Sequence, residues 1–262
     1  MVTVVTTSTI LLKSFVNLSK FEHCVERLFD DLHIDFKWSS ESRDLIAELC
    51  FLFDLNYSVQ PRFVPHRWLS AYDIALATLR LYDVYRLFYF PFVDNMSTYR
   101  KEIQAIMNKL PTTKPQLRVQ SIFEILKLKY KTMTKEGKSR KQRIVERLFH
   151  NNVKTSFILN FYASALPMLK QYVPLFQTQA PKIHKLHDAQ VDTTRKLLAS
   201  SIKPEKLVDL NPKQMASSDV GSVINNLKLN QIFIGKQARD LIKDCDEDHR
   251  NQLLILVRVS RA

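Results

Sequence analysis

The chain is 262 residues long, 45% hydrophobic and 25% charged, the composition of a folded protein with a substantial core rather than a disordered or low-complexity segment. It holds only three glycines (Gly137, Gly221 and Gly235) where an average content would give roughly eighteen, which excludes glycine-rich phosphate loops and weighs against a many-turned sandwich or barrel. A formal charge of +13 favours a polyanionic partner, while Cys24, Cys50 and Cys245, odd in number and without zinc spacing, read as reduced thiols.

Residues 1–12 alternate Val, Thr and Ile with the period of a strand, so 1–13 is an N-terminal extension. From residue 14 the pattern turns helical. Phe21, Val25, Leu28, Phe29 and Leu32 recur at three- and four-residue spacings. Ser39 or Ser40 can cap a second helix carrying Leu45, Ile46, Leu49, Leu52 and Phe53. A proline-bearing loop from Gln60 to Pro65 follows. Ser70 and Asp73 then resemble a capping box heading a long helix towards Phe90. That helix offers Leu76, Leu79, Tyr82, Leu87 and Phe88 for burial, and Pro91 ends or kinks it.

Further helices are expected over 99–109 and 116–133. Between Lys127 and Arg147 stand nine Lys or Arg and two Glu, with Gly137 marking a loop between two helices. An amphipathic helix is expected from Val153 to about Phe176, with Phe157, Phe161, Ala165, Leu169, Val173 and Phe176 on one face and a kink at Pro167. Another helix covers 182–202, residues 203–235 are less regular, and a C-terminal segment, 246–262, holds the apolar run Leu253 to Val257. The expected fold is mainly α: an irregular helical bundle over 14–245, with at most one N-terminal strand.

The chemistry legible in the residues is sparse. The greasiest stretch, Leu87 to Val93, is far short of the about 18 apolar residues of a membrane span, so no membrane partner is expected. His184 and His187 lie one helical turn apart, but a zinc site needs a third and fourth ligand. The acidic clusters Asp30-Asp31 and Asp244 to Asp248 read as solvated faces rather than metal carboxylates. No nucleophile elbow accompanies the scattered histidines. No catalytic centre, metal or cofactor is therefore expected. The basic block is the main candidate interface. Lys138, Arg140, Lys141 and Arg143 can contact a phosphate backbone, with Tyr130 and Phe149 near enough in sequence to stack on bases. The plain alternative is a solvated helix–loop–helix edge.

Phe63-Val64-Pro65-His66-Arg67-Trp68-Leu69-Ser70, followed by an aromatic helix, resembles the Arg-Trp-Leu-Ser element of hAT-superfamily transposases and their domesticated relatives. The stretch from Phe21-Glu22-His23-Cys24-Val25 to Leu49-Cys50, and the run Gly137-Lys138-Ser139-Arg140-Lys141-Gln142-Arg143-Ile144, are similar to the same family. The resemblance implies a helical insertion domain, of the kind that interrupts an RNase H-like core, with Arg67 and Trp68 next to DNA; packing at a helix start is the other use of that indole. The family's three separated acids, its Cys-x-x-His element and its C-terminal Asn-Ser-x-x-Glu-Arg pattern are not found here. The expectation is an insertion-domain fragment, a domesticated gene product or a transposon relic: non-enzymatic, intracellular and nuclear, contacting DNA, RNA or a chromatin protein. A protein–protein interaction scaffold without nucleic-acid binding is the alternative, and a relic that merely folds is a third reading.

Overall fold

The computed structural model describes residues 25–64, 68–110, 113–170, 183–208, 210–216, 218 and 225–261. The strand expected over 1–12 lies outside the described residues. Among those described, structure is helical, and the nearest thing to a sheet is one isolated antiparallel bridge between Ile202 and Asn226. The mainly α architecture holds. None of the described helices is long and apolar enough to cross a membrane. The chain divides into two compact units between Leu159 and Asn160, inside a helix.

The first unit, Cys24–Leu159, is built around its greasiest segment. Helices α1 (Glu26–Lys37) and α2 (Ser40–Leu52) are followed by α3 (Trp68–Arg80) and α4 (Tyr82–Tyr89). The long helix expected from Ser70 to Phe90 is thus two helices, broken at Leu81. In α4 six consecutive residues, Val84 to Tyr89, are buried, and the 3-10 turn Phe90–Phe92 is buried as well. A segment buried over six successive residues must be covered on all sides. Around it pack α1, α2, α5 (Met96–Met107), α6 (Thr113–Thr132), α7 (Lys135–Val145) and a π-helical turn, Glu146–His150. Pro91 turns the chain out of α4 because its ring cannot continue a helical hydrogen-bond ladder.

Local chemistry explains several boundaries. Ser39 caps α2, its hydroxyl accepting from the Ser42 amide at 3.2 Å. Thr134 caps α7 by accepting from the Gly137 amide at 3.2 Å, so Gly137 lies in the first turn of that helix and the expected break falls at Met133-Thr134 instead. Ser70 is inside α3 rather than before it, with its hydroxyl beside the backbone of Val64. Leu76, expected in the core, is 41% exposed, and Ala71, Ile74, Ala75 and Thr78 form the buried face of α3. The π-helical turn closes with the Asn151 amide donating to the Glu146 carbonyl at 2.8 Å. Its extra residue per turn carries three successive side chains, Arg147, Leu148 and Phe149, into the interior.

The proline-bearing loop is held by one buried side chain. The Gln60 amide donates to Thr78 Oγ1 at 2.9 Å, its side-chain oxygen accepts from the Tyr85 hydroxyl at 3.1 Å, and its backbone carbonyl lies 2.8 Å from His33 Nδ1. Three helices therefore fix the loop leading to Trp68.

Helix α8 (Asn152–Ala165) spans the division between the units. The second unit continues with α9 (Pro167–Lys170), α10 (Ile183–Ala199), α11 (Pro212–Ala216), α12 (Lys236–Leu241) and α13 (Glu247–Arg261). Phe157, Phe161 and Ala165 of the expected amphipathic face are buried, and the helix breaks at Leu166, ahead of Pro167. Val173 and Phe176 lie outside the described residues, as does the side chain of Leu169. Gly235 has a φ of 85°, where a side chain is strained, and a methyl group there would overlap the Ser164 hydroxyl. Gly235→Ala is expected to destabilise the protein by more than about 1 kcal/mol in urea unfolding. Gly137→Ala, where the neighbour is the flexible Met133 side chain and φ is helical, should change it far less.

Candidate nucleic-acid interface

The basic block lies along the C-terminal half of α6, the whole of α7 and the π-helical turn, and it is divided between interior and surface. Helix α7 runs antiparallel to α1, so its cations meet two aspartates placed one turn apart, Asp31 and Asp35. Asp31 is 4% exposed. Arg143 grips it with both forks of its guanidinium, Nε to Oδ2 at 3.0 Å and Nη2 to Oδ1 at 2.5 Å, and Arg147 approaches at 3.7 Å. Asp31 is thus an internal anchor, not part of the solvated face expected for Asp30-Asp31.

Lys141 goes deeper. It is 1% exposed, forms an ion pair with Asp35, and its ammonium lies 4.9–5.0 Å from the ring centroids of Phe88, Tyr89 and Phe92. The Tyr89 hydroxyl donates to the same Asp35 carboxylate at 2.6 Å. A charge so far from water is retained only with a counter-charge and polar contacts, and the three ring faces add quadrupole attraction. Lys141 is consequently not available to a phosphate backbone, contrary to its expected surface role. Arg140, with 17% of its side chain exposed, pairs with Glu136 at 3.2 Å and lies 4.0 Å from Asp35. Arg143 keeps 32% of its side chain exposed but is committed to Asp31.

Lys138 is different. Its ammonium sits 5.5 Å from the Tyr130 ring centroid and donates to the Lys131 carbonyl at 3.3 Å, with no carboxylate partner among the described residues. Lys131 and Lys135, which the sequence did not single out within the block, are exposed and have no acidic partner among the described residues. Lys129 bridges α6 to the head of α2 through Glu41 at 2.8 Å, Ser39 at 3.1 Å and Ser42 at 3.2 Å, and Lys127 pairs with Glu124. The outward positive charge therefore gathers at the α6–α7 corner. Phe149 is buried against Phe90, Tyr99 and Arg86 and offers no stacking surface, whereas Tyr130 is half-buried.

Of the remaining candidates, Arg67 lies outside the described residues; Trp68 opens α3, but its side chain lies outside them too. His187 is exposed, and the side chain of His184 is not among those described. No group of three or more His, Cys, Asp or Glu is placed to hold a metal among the described residues. Asp244, Asp246, Glu247 and Asp248 are exposed, as expected of a solvated face. No family model, curated protein or solved structure matches the chain.

The buried pair gives a direct stability test. Removing one partner of a buried ion pair leaves the other charge unpaired, a loss of about 3–5 kcal/mol, whereas replacing both with apolar groups is often nearly neutral. Lys141→Met and Asp35→Leu should each destabilise strongly in urea unfolding, and the double variant should recover much of that loss.

Burial also sets the alkaline behaviour. It holds Tyr89 well above its ordinary value, reinforced by the Asp35 carboxylate, raises Tyr57 and Tyr85, and pushes the Cys50 thiol up to about 11. Each group keeps its proton in the folded chain at a pH where the unfolded chain has lost it. The stability it contributes is complete below its unfolded pKa and falls as pH rises beyond that. Burial lowers Lys141, whose contribution has the opposite sign and grows as pH rises towards about 10.5. Between about pH 9 and 11 the Cys50 thiol lowers the unfolding free energy as pH rises, so Cys50→Ala should make the slope of unfolding free energy against pH more positive than in the parent over that interval. An unchanged slope would contradict the assignment.

Proposed function

We propose that the first unit is a non-enzymatic helical module, of the transposase-insertion kind that the Arg67-Trp68-Leu69-Ser70 element resembles, which contacts nucleic acid through the α6–α7 corner. The observation that carries this reading is the separation of the basic block into cations neutralised inside and cations left outside. Lys131 and Lys135 stand exposed without acidic partners among the described residues, and Lys138 lies beside them. Lysines held together without counter-charges form a local positive field that a phosphate backbone neutralises with release of its condensed counterions. The non-enzymatic part of the reading is supported by the acids themselves, since Asp31 and Asp35 are occupied by Arg143, Arg147 and Lys141. Sequence preference should be weak, because phosphate contacts position a protein without reading bases.

The test is the salt dependence of binding to a labelled 20-base-pair duplex. The parent chain should lose affinity with log salt at about −0.9 per phosphate contact. Replacing Lys131, Lys135 and Lys138 with Ser should lower both affinity and slope while leaving unfolding within about 0.5 kcal/mol of the parent, since exposed charges contribute little. If the parent binds neither duplex nor single strand at low ionic strength, the nucleic-acid reading fails and an interaction scaffold takes its place.

A further inference from the structure

Trp38 is the most exposed aromatic residue at this end of the unit. It is 77% exposed, immediately after the end of α1. The helix explains its direction. Leu28, Leu32 and Phe36 occupy one face at four-residue spacing and are buried, and a position two residues beyond Phe36 points to the other side. Three helix ends converge there. The antiparallel pairing of Arg143 with Asp31 and Lys141 with Asp35 brings the start of α7, with Lys135 and Lys138, alongside the end of α1. The end of α6 arrives from the other side, where Lys129 Nζ lies 3.1 Å from the hydroxyl of Ser39, the residue next to Trp38. Lys37 Nζ lies over the indole, 4.6 Å from its centroid.

A lone exposed hydrophobic residue needs no explanation. A solvent-facing indole carrying its own cation, with Lys135 and Lys138 at the start of α7 on one side and Lys129, paired with Glu41, at the end of α6 on the other, has the composition of a single-strand platform. Unpaired bases stack on the aromatic face while lysines follow the phosphates. A duplex keeps its bases stacked on each other and offers the indole only its backbone and groove edges. We infer that Trp38 is a base-stacking residue and that the α1–α6–α7 corner takes single-stranded nucleic acid in preference to duplex. This rests on the nucleic-acid reading above and adds to it the form of the strand and the residue that selects it.

The test uses the full chain, fluorescein-labelled oligothymidylate of 20 nucleotides and the 20-base-pair duplex, with binding followed by anisotropy across a salt series. Trp38→Ala should weaken oligothymidylate binding about tenfold, leave duplex binding and the salt slope unchanged, and leave the helical circular dichroism intact. Trp38→Phe should restore most of the single-strand affinity. In a Trp68→Phe background, where Trp38 is the remaining tryptophan, oligothymidylate should quench the indole fluorescence. Unchanged single-strand affinity in Trp38→Ala, or an equal loss on single strand and duplex, overturns the stacking assignment while a reduced slope in the lysine variant still upholds the basic corner. Absence of binding to both probes by the parent overturns the two together.

Discussion

The ion pair between Lys141 and Asp35 is the constraint around which the first unit is arranged. It joins α1 to α7 across the middle of the core, and its ammonium is enclosed by the rings of Phe88, Tyr89 and Phe92. Such a charge tolerates little displacement, because a shift that admits neither water nor another counter-ion leaves it unpaired in an apolar surround. The pair therefore fixes the register of α7 against α1, and with it the neighbouring pairs of Arg143 and Arg147 with Asp31. It also fixes the rotation of the buried α4 segment, since the Tyr89 hydroxyl completes the coordination of Asp35.

From that register follows the disposition of charge. A run of nine cations in twenty-one residues would repel itself on a single surface, but the helical period of α7 sends Lys141 and Arg143 towards α1 and leaves Lys135 and Lys138 at the corner. The inward cations are matched by acids on α1; the outward ones are not. Structural roles and the proposed binding role thus fall on residues that alternate within one short helix, and a charge-neutralising change at the inward positions would confuse a loss of fold with a loss of the proposed binding. The same geometry brings Trp38 into the basic corner, since the residue ends the helix that α7 is locked against.

Much of the helical framework was legible in the sequence. The spacings of Leu28, Leu32, Leu45, Ile46 and Leu49 gave α1 and α2 with their buried faces, Ser39 gave a cap, and Pro91 and Pro167 gave breaks. The break at Leu81 was not legible, because the residues on both sides carry an uninterrupted helical pattern. Gly137 misled, since glycine is compatible with a first-turn position beneath a Thr134 cap as well as with a loop. The largest difference concerns Lys141. Read alone, its neighbours Arg140 and Arg143 make it one of a surface cluster; only the tertiary partner Asp35, more than a hundred residues earlier, makes it internal. Trp38 did carry a signal, two positions beyond the last residue of an apolar stripe, where an aromatic side chain faces away from the core that the stripe defines.

The division of the basic block into inward and outward cations is tested most directly by lysine side-chain NMR, in which the Cε–Hε resonances of Lys131, Lys135, Lys138 and Lys141 are followed as oligothymidylate is added to the full chain. The proposed interface requires the first three to shift progressively with ligand, while Lys141, displaced from its random-coil position by the rings of Phe88, Tyr89 and Phe92, stays where it is. A Lys141 resonance at the random-coil position that moves together with the others would place that ammonium at the surface and contradict both the buried pair and the proposed interface.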